Sequence, residues 1–146
     1  MAKGPDRLYY VIAEDDKALY ERLNEEFQKR MSNKNQFLLA MAVGFKEGNF
    51  RSFGKKVSFV RTEYLNDEDK ALINSVAIKE TGGVEVLSKT EEVFRIAEGY
   101  AHGGIRLLNT QITSKQFGSF FKQFEKEVVE IYRGLDLDDE KENPSS

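Results

Sequence analysis

The chain has 146 residues, with 40% hydrophobic and 32% charged residues, one histidine, no cysteine and a formal net charge of -3. That length and composition fit one soluble domain that buries a core without disulfide or metal staples. The absence of cysteine excludes disulfides, zinc–thiolate sites, iron–sulfur clusters and cysteine nucleophiles. The single histidine excludes multi-histidine metal centres, and the acidic balance excludes a histone-like polycation.

Leu8 to Ile12 is a short apolar run that reads as a strand or an extended lead-in. Asp15 or Asp16 can cap a helix reaching about Met31, because Leu19, Leu23, Phe27 and Met31 recur every fourth residue and share a face. Asn33 or Asn35 can cap the next helix, Gln36 to Lys46. It is apolar nearly all round, so it belongs at the centre of the core, and Gly48 is its stop signal. Val57 and Phe59 alternate with Lys56 and Ser58, the period of a strand. Asn66 with Asp69 resembles a capping box opening a helix to about Glu80, with Gly82-Gly83 ending it and Leu72, Ile73, Val76 and Ala77 facing inward. Thr90 can cap a further helix with Val93, Phe94, Ala97 and Tyr100 or Ala101 inward. There Gly103-Gly104 either interrupts the helix or admits another backbone. Ser114 is placed to cap a last helix to about Arg133, with Phe117, Phe121, Phe124, Val128 and Ile131 in a coiled-coil-like seam. The pattern predicts a mainly α fold, a compact bundle of five or six helices with at most a small β-hairpin.

The organisation follows: one globular helical domain over 1–133 and an acidic disordered tail over 134–146, where five acids face one lysine. The first residues have no apolar signal-peptide core. The longest apolar run, Phe37 to Val43, is far short of the roughly 20 residues a membrane helix needs. A cytoplasmic protein that touches no membrane is the expectation.

Charge is uneven along the chain. Residues 27–61 hold eight cations (Lys29, Arg30, Lys34, Lys46, Arg51, Lys55, Lys56 and Arg61) against one acid, Glu47, a net +7 in a chain of -3. Phe45, Phe50 and Phe53 interleave with them, the pattern of an anion or DNA-binding surface. Pairing with the acidic remainder, or plain solvation, would account for the same residues.

Motifs for chemistry are scarce. The P-loop, dinucleotide-binding and nucleophile-elbow patterns are absent, and no carboxylate pair stands alone in apolar surroundings. Asp67, Glu68 and Asp69 at a helix start fit the macrodipole rather than a metal. Glu98, His102 and Arg106 fall at i, i+4 and i+8. They share a face if the helix continues through the glycines, and form a possible ligand site in which the histidine serves as acid, base or pH sensor and the arginine clamps an anion. A surface salt ladder, or a histidine packed against the core and satisfied by a carbonyl, is the preferred reading of the same residues.

Three blocks taken in order carry a family resemblance: FLLAMAVGFKEG (37–48), ALINSVAIKETGGVEVL (71–87) and EEVFRIAEGYAHGGIRLL (91–108). They resemble the DNA phosphorothioation (Dnd) system-associated protein 4 family through Gly44, Phe45, Lys46 and Gly48, then Ala77, Glu80 and Thr81, then Glu98, Tyr100, Ala101, His102, Gly103 and Gly104. His102 stands where that pattern more often has asparagine, and the basic stretch 49–61 and the long C-terminal helix extend it. The resemblance implies a prokaryotic cytoplasmic protein linked to DNA modification or defence. It transfers no catalytic residue.

The resulting expectation is a non-catalytic accessory or adaptor domain with no cofactor and no metal. It would bind a partner protein, with DNA as a further candidate, through the basic segment. The Phe117–Phe121–Phe124–Val128 seam would serve as core or as a homodimer face. The alternative is a small enzyme or an anion-binding regulatory domain using Glu98, His102 and Arg106.

Overall fold

The computed structural model describes residues 7–127 and divides the chain into two compact units, 1–110 and 111–146. In the first unit, strand β1 (Tyr9–Ala13) leads through a single 3-10 turn into helix α1 (Lys17–Glu26). Helix α2 (Asn33–Lys46), strand β2 (Lys56–Arg61), helix α3 (Asp67–Thr81) and helix α4 (Thr90–Thr113) follow, and α4 runs on past residue 110. Mainly helical structure with one two-stranded sheet is the architecture the pattern predicted.

The sheet is not a tight hairpin. β1 and β2 pair antiparallel from Tyr9 opposite Arg61 to Ala13 opposite Lys56, yet α1 and α2 lie between them in sequence. Tyr10 faces Val60 and Val11 faces Ser58, so Phe59 is the extra residue of a β-bulge. Its ring packs on Tyr20 of α1 at 4.6 Å, and its carbonyl accepts from Asn33 Nδ2 at 3.1 Å.

α2 is central, as its all-round apolar surface requires: Phe37, Leu38, Ala40, Met41, Val43 and Gly44 are buried. Ser32, rather than Asn33 or Asn35, caps it, accepting from Asn35 N at 3.1 Å. Tyr10 of β1 ties the sheet to both long helices, with its ring 5.2 Å from Phe37 and 4.3 Å from Phe94. α1 ends at Glu26, short of Met31, because Gln28 and Lys29 turn into the left-handed region (φ 57° and 61°). The Asn66–Asp69 capping box is formed, and α3 closes on left-handed Gly82.

α4 passes through Gly103-Gly104 without a break, and these glycines admit other backbones. A Cβ on Gly104 would lie 1.7 Å from the Ala40 carbonyl oxygen, one on Gly44 2.0 Å from that of Tyr100, and one on Gly103 1.7 Å from that of Asn49. α2 and α4 therefore cross with their main chains in contact, and the loop after α2 lies along the same face of α4.

In the second unit, Ser114 does not open a helix. Its hydroxyl donates to Gln111 O at 3.2 Å, Lys115 is left-handed, and the chain becomes helical again over 117–127. Phe117 is buried and stacks on Phe121 at 5.7 Å, while Phe124 is partly exposed. Val128, Ile131 and the expected tail 134–146 lie outside the described residues.

Candidate functional site

The eight cations of the basic segment do not form one patch. α2 separates them by about 20 Å, the length of a 14-residue helix. Lys29, Arg30 and Lys34 belong to its start, and Lys46, Arg51, Lys55 and Lys56 to its end and the loop beyond. β2 carries Arg61 back to the first group, so that Lys34 and Arg61 line one concavity. Three of the eight are neutralised locally: Lys34 by Asp69 (2.8 Å), Lys46 by Glu47 (3.1 Å) and Arg61 by Glu63. Among the described residues, Lys29, Arg30, Arg51, Lys55 and Lys56 have no ion pair within 4 Å, and all five are exposed.

The loop that carries Arg51 and Lys55 and leads into Lys56 at the start of β2 is held firmly. Left-handed Gly48 turns the chain, and Asn49 N donates to Gly44 O at 2.8 Å. Asn49 Nδ2 donates to Gly103 O at 3.2 Å, Arg51 N to Gly99 O at 3.0 Å, and Glu14 N to Lys55 O at 3.0 Å. Phe50 lies against Gly99, where a Cβ would come within 2.1 Å of its ring, and meets Tyr100 edge-on at 5.3 Å. Phe53 lies 5.0 Å from the His102 ring. The aromatics interleaved with the cations thus anchor the loop, and the cations face solvent.

Glu98, His102 and Arg106 share a face of α4, but Glu98 has a different partner from the other two. Glu98 (4% exposed) accepts from Arg7 Nη1 at 2.9 Å and Nη2 at 3.1 Å, and from Val11 N at 2.8 Å. Arg7 also reaches Glu91 at 3.0 Å and lies over the Phe94 ring at 4.5 Å. His102 Nδ1 bonds to Asp16, which is fully buried, and Arg106 Nη2 lies 3.1 Å from the other Asp16 oxygen. That last contact is an ion pair without hydrogen-bond alignment, so Asp16 Oδ1 and Arg106 Nε both lack a hydrogen-bond partner. The three residues therefore belong to two separate clusters, one around buried Glu98 and one around buried Asp16, each completed by a residue from the N-terminal segment. Asp16 read as a helix cap, and its side chain makes no cap bond. Arg7 carried no signal at all, because its partners lie 84 and 91 residues away.

Burial raises the Glu98 carboxyl above its ordinary 4.5, against the opposing pull of the Val11 N–H and Arg7. Its folded form then holds a proton to higher pH than the unfolded chain does. This contribution to stability is greatest below the unfolded value and falls as pH rises through the folded one. Glu98→Gln is expected to remove that decline. Urea melts across the mildly acidic range, with wild type and variant falling in parallel, would contradict it. Tyr100 is likewise pushed up to about 12, first by burial and then by Glu80, whose carboxylate accepts from its hydroxyl.

A model of the DNA sulphur modification system-associated protein 4 family matches residues 11–124, well over half of the chain. The chain belongs to that family. No curated protein matches it, and no solved structure does. Within this family member, the residues that carried the resemblance have visible structural tasks. Gly44, Gly103 and Gly104 make the backbone contacts, Phe45 meets Tyr100 edge-on at 5.4 Å, and Thr81 closes α3 by donating to Ala77 O at 2.9 Å. The family description links the chain to DNA sulphur modification. Among the described residues, no helix is long and apolar enough to cross a membrane, and no group of three or more histidine, cysteine or acidic residues is placed to hold a metal.

Proposed function

We propose that the chain is a non-catalytic accessory domain of a DNA sulphur modification system. It meets DNA and a partner protein through the loop between α2 and β2. The observation that carries this reading is the state of Arg51, Lys55 and Lys56: exposed, without ion pairs among the described residues, and displayed by a loop pinned to α4 and by the first residue of β2. A rigid display costs little ordering entropy on binding. The buried clusters support the same reading. Glu98 is committed to Arg7, and His102 and Arg106 to Asp16, so the groups that could have done acid–base chemistry hold the fold together.

The test is anisotropy of a labelled duplex at low and moderate salt, with Arg51→Glu, Lys55→Glu and Lys56→Glu combined. Each neutralised phosphate contributes about -0.9 to the slope of log affinity against log salt, so three contacts give roughly -3. The triple variant is expected to lose binding at moderate salt. Wild-type binding that ignores salt, or a variant that binds as well as the parent, would defeat the proposal.

A further inference from the structure

We propose that the concavity between the start of α2 and the end of β2 is a nucleotide site, taking a base on the Tyr64 ring and its phosphate between Lys34 and Arg61. This rests on the nucleic-acid reading above and narrows it to a strand whose bases are out of the stack. The concavity has a volume of about 470 Å³ and is lined by Ser32, Asn33, Lys34, Phe59, Val60, Arg61 and Tyr64. Its lining holds two cations and no carboxylate. The cleft under the loop, of about 280 Å³, holds three cations and three carboxylates. In the first concavity the carboxylates that balance the two cations, Asp69 and Glu63, stand outside the lining, so no acid faces a ligand placed inside it.

Tyr64 is 62% exposed, although the next residue, Leu65, is buried and anchors the turn. A large ring held in solvent beside two cations is the usual equipment for binding single-stranded nucleic acid, where bases stack on aromatics and the backbone follows positive charge. The cations are prepositioned from outside the lining: Lys34 by Asp69, and Arg61 by Glu63 and by Tyr9, whose hydroxyl is 3.4 Å from Nη1. Lysine has three N–H donors and arginine five, so each can keep its carboxylate and still donate to a phosphate. The neighbouring acids weaken the pull on that phosphate, which leaves stacking as the larger share of the affinity. The other polar side chains are already engaged, Ser32 Oγ with Asn35 N and Asn33 Nδ2 with Phe59 O. A paired base inside a duplex cannot present its face to Tyr64.

The experiment compares fluorescein-labelled oligothymidylate with a duplex of equal length, using the full chain and its Tyr64→Ala and Tyr64→Phe variants. Tyr64 is exposed enough for both variants to fold, and circular dichroism checks that they do. Tyr64→Ala is expected to weaken single-strand binding about tenfold, the effect of losing one stacked base, and to leave duplex binding unchanged. Tyr64→Phe should bind as the parent does, since stacking needs the ring and not the hydroxyl. Free thymidine monophosphate should compete only at concentrations far above that of the strand. Competition at comparable concentration would make this a free-nucleotide site and overturn the strand assignment. Single-strand binding indifferent to Tyr64→Ala, or equal losses on both DNA forms, would overturn the site while leaving the loop reading intact. Failure to bind either form would overturn both.

Discussion

Gly104→Ala is expected to destabilise the chain by about 3 kcal/mol or more, a large share of the roughly 5–15 kcal/mol that holds a domain folded. The added methyl would sit 1.7 Å from the Ala40 carbonyl oxygen and 2.8 Å from Gly44 N. Both are backbone atoms inside α2, so no side chain can swing aside, and the whole helix would have to move off α4. That separation would also loosen Phe37, Met41 and Val43, which are buried along α2. Gly44→Ala acts at the same crossing, 2.0 Å from Tyr100 O, and should match it; combining the two should cost less than their sum, since one displacement relieves both. Gly103→Ala should cost less, because its obstacle, Asn49 O, belongs to a loop. Gly118→Ala is the control, with nothing within 4 Å of its Cβ position, and should be neutral or stabilising by up to about 1 kcal/mol. Denaturant midpoints rank the four variants. Gly104→Ala melting within about 1 kcal/mol of the parent would show that the helices do not cross this closely.

Asp16→Ala is the second large effect, expected at about 1–3 kcal/mol, the cost of leaving a buried hydrogen-bonding group without its partner. Asp16 is fully buried, while the His102 side chain is 10% exposed and the Arg106 side chain 41%. Removing the carboxylate leaves the imidazole without its partner under Phe53 and the guanidinium with a partly buried charge. Asp16→Asn keeps an oxygen for the His102 ring and fills the same space, but turns an amide NH2 toward Arg106, donor against donor, so its loss should be smaller than that of Asp16→Ala without vanishing. Equal losses for the two variants would mean that the cluster works by charge and not by shape, since only the asparagine keeps the shape. The comparison needs only equilibrium unfolding, followed by a probe of the core and a probe of the 49–55 loop. The loop should loosen first, because Phe53 rests on His102.

The elements legible in the sequence were those whose determinants lie within three or four residues. Asn66 and Asp69 cap each other across one helical turn, and left-handed Gly82 and Gly48 end α3 and α2 where expected. The all-apolar surface of α2 announced a buried helix, and alternation at Val57 and Phe59 announced a strand. Where two caps were available, or a run of apolar residues continued past the true end, local reading erred. Ser32 displaced Asn33 and Asn35, α1 stopped at Glu26, and Ser114 closed one helix instead of opening the next.

Charge partners were not legible, because an ion pair depends on where distant segments arrive. The +7 of residues 27–61 reads as one patch along the chain, but α2 and β2 carry its members to opposite ends. Glu98 and His102 look like neighbours four residues apart, yet their partners, Arg7 and Asp16, come from 91 and 86 residues away. The sequence by itself determined a mainly helical fold, its central helix, the Asn66–Asp69 capping box with the glycine stops at Gly48 and Gly82, and an uneven charge. Only the tertiary structure decided that Gly103-Gly104 would be a backbone crossing instead of a break, and which cations would find a carboxylate partner. Periodicity and capping act within one turn of chain, whereas a close helix crossing and a buried ion pair exist only once remote backbones are packed together.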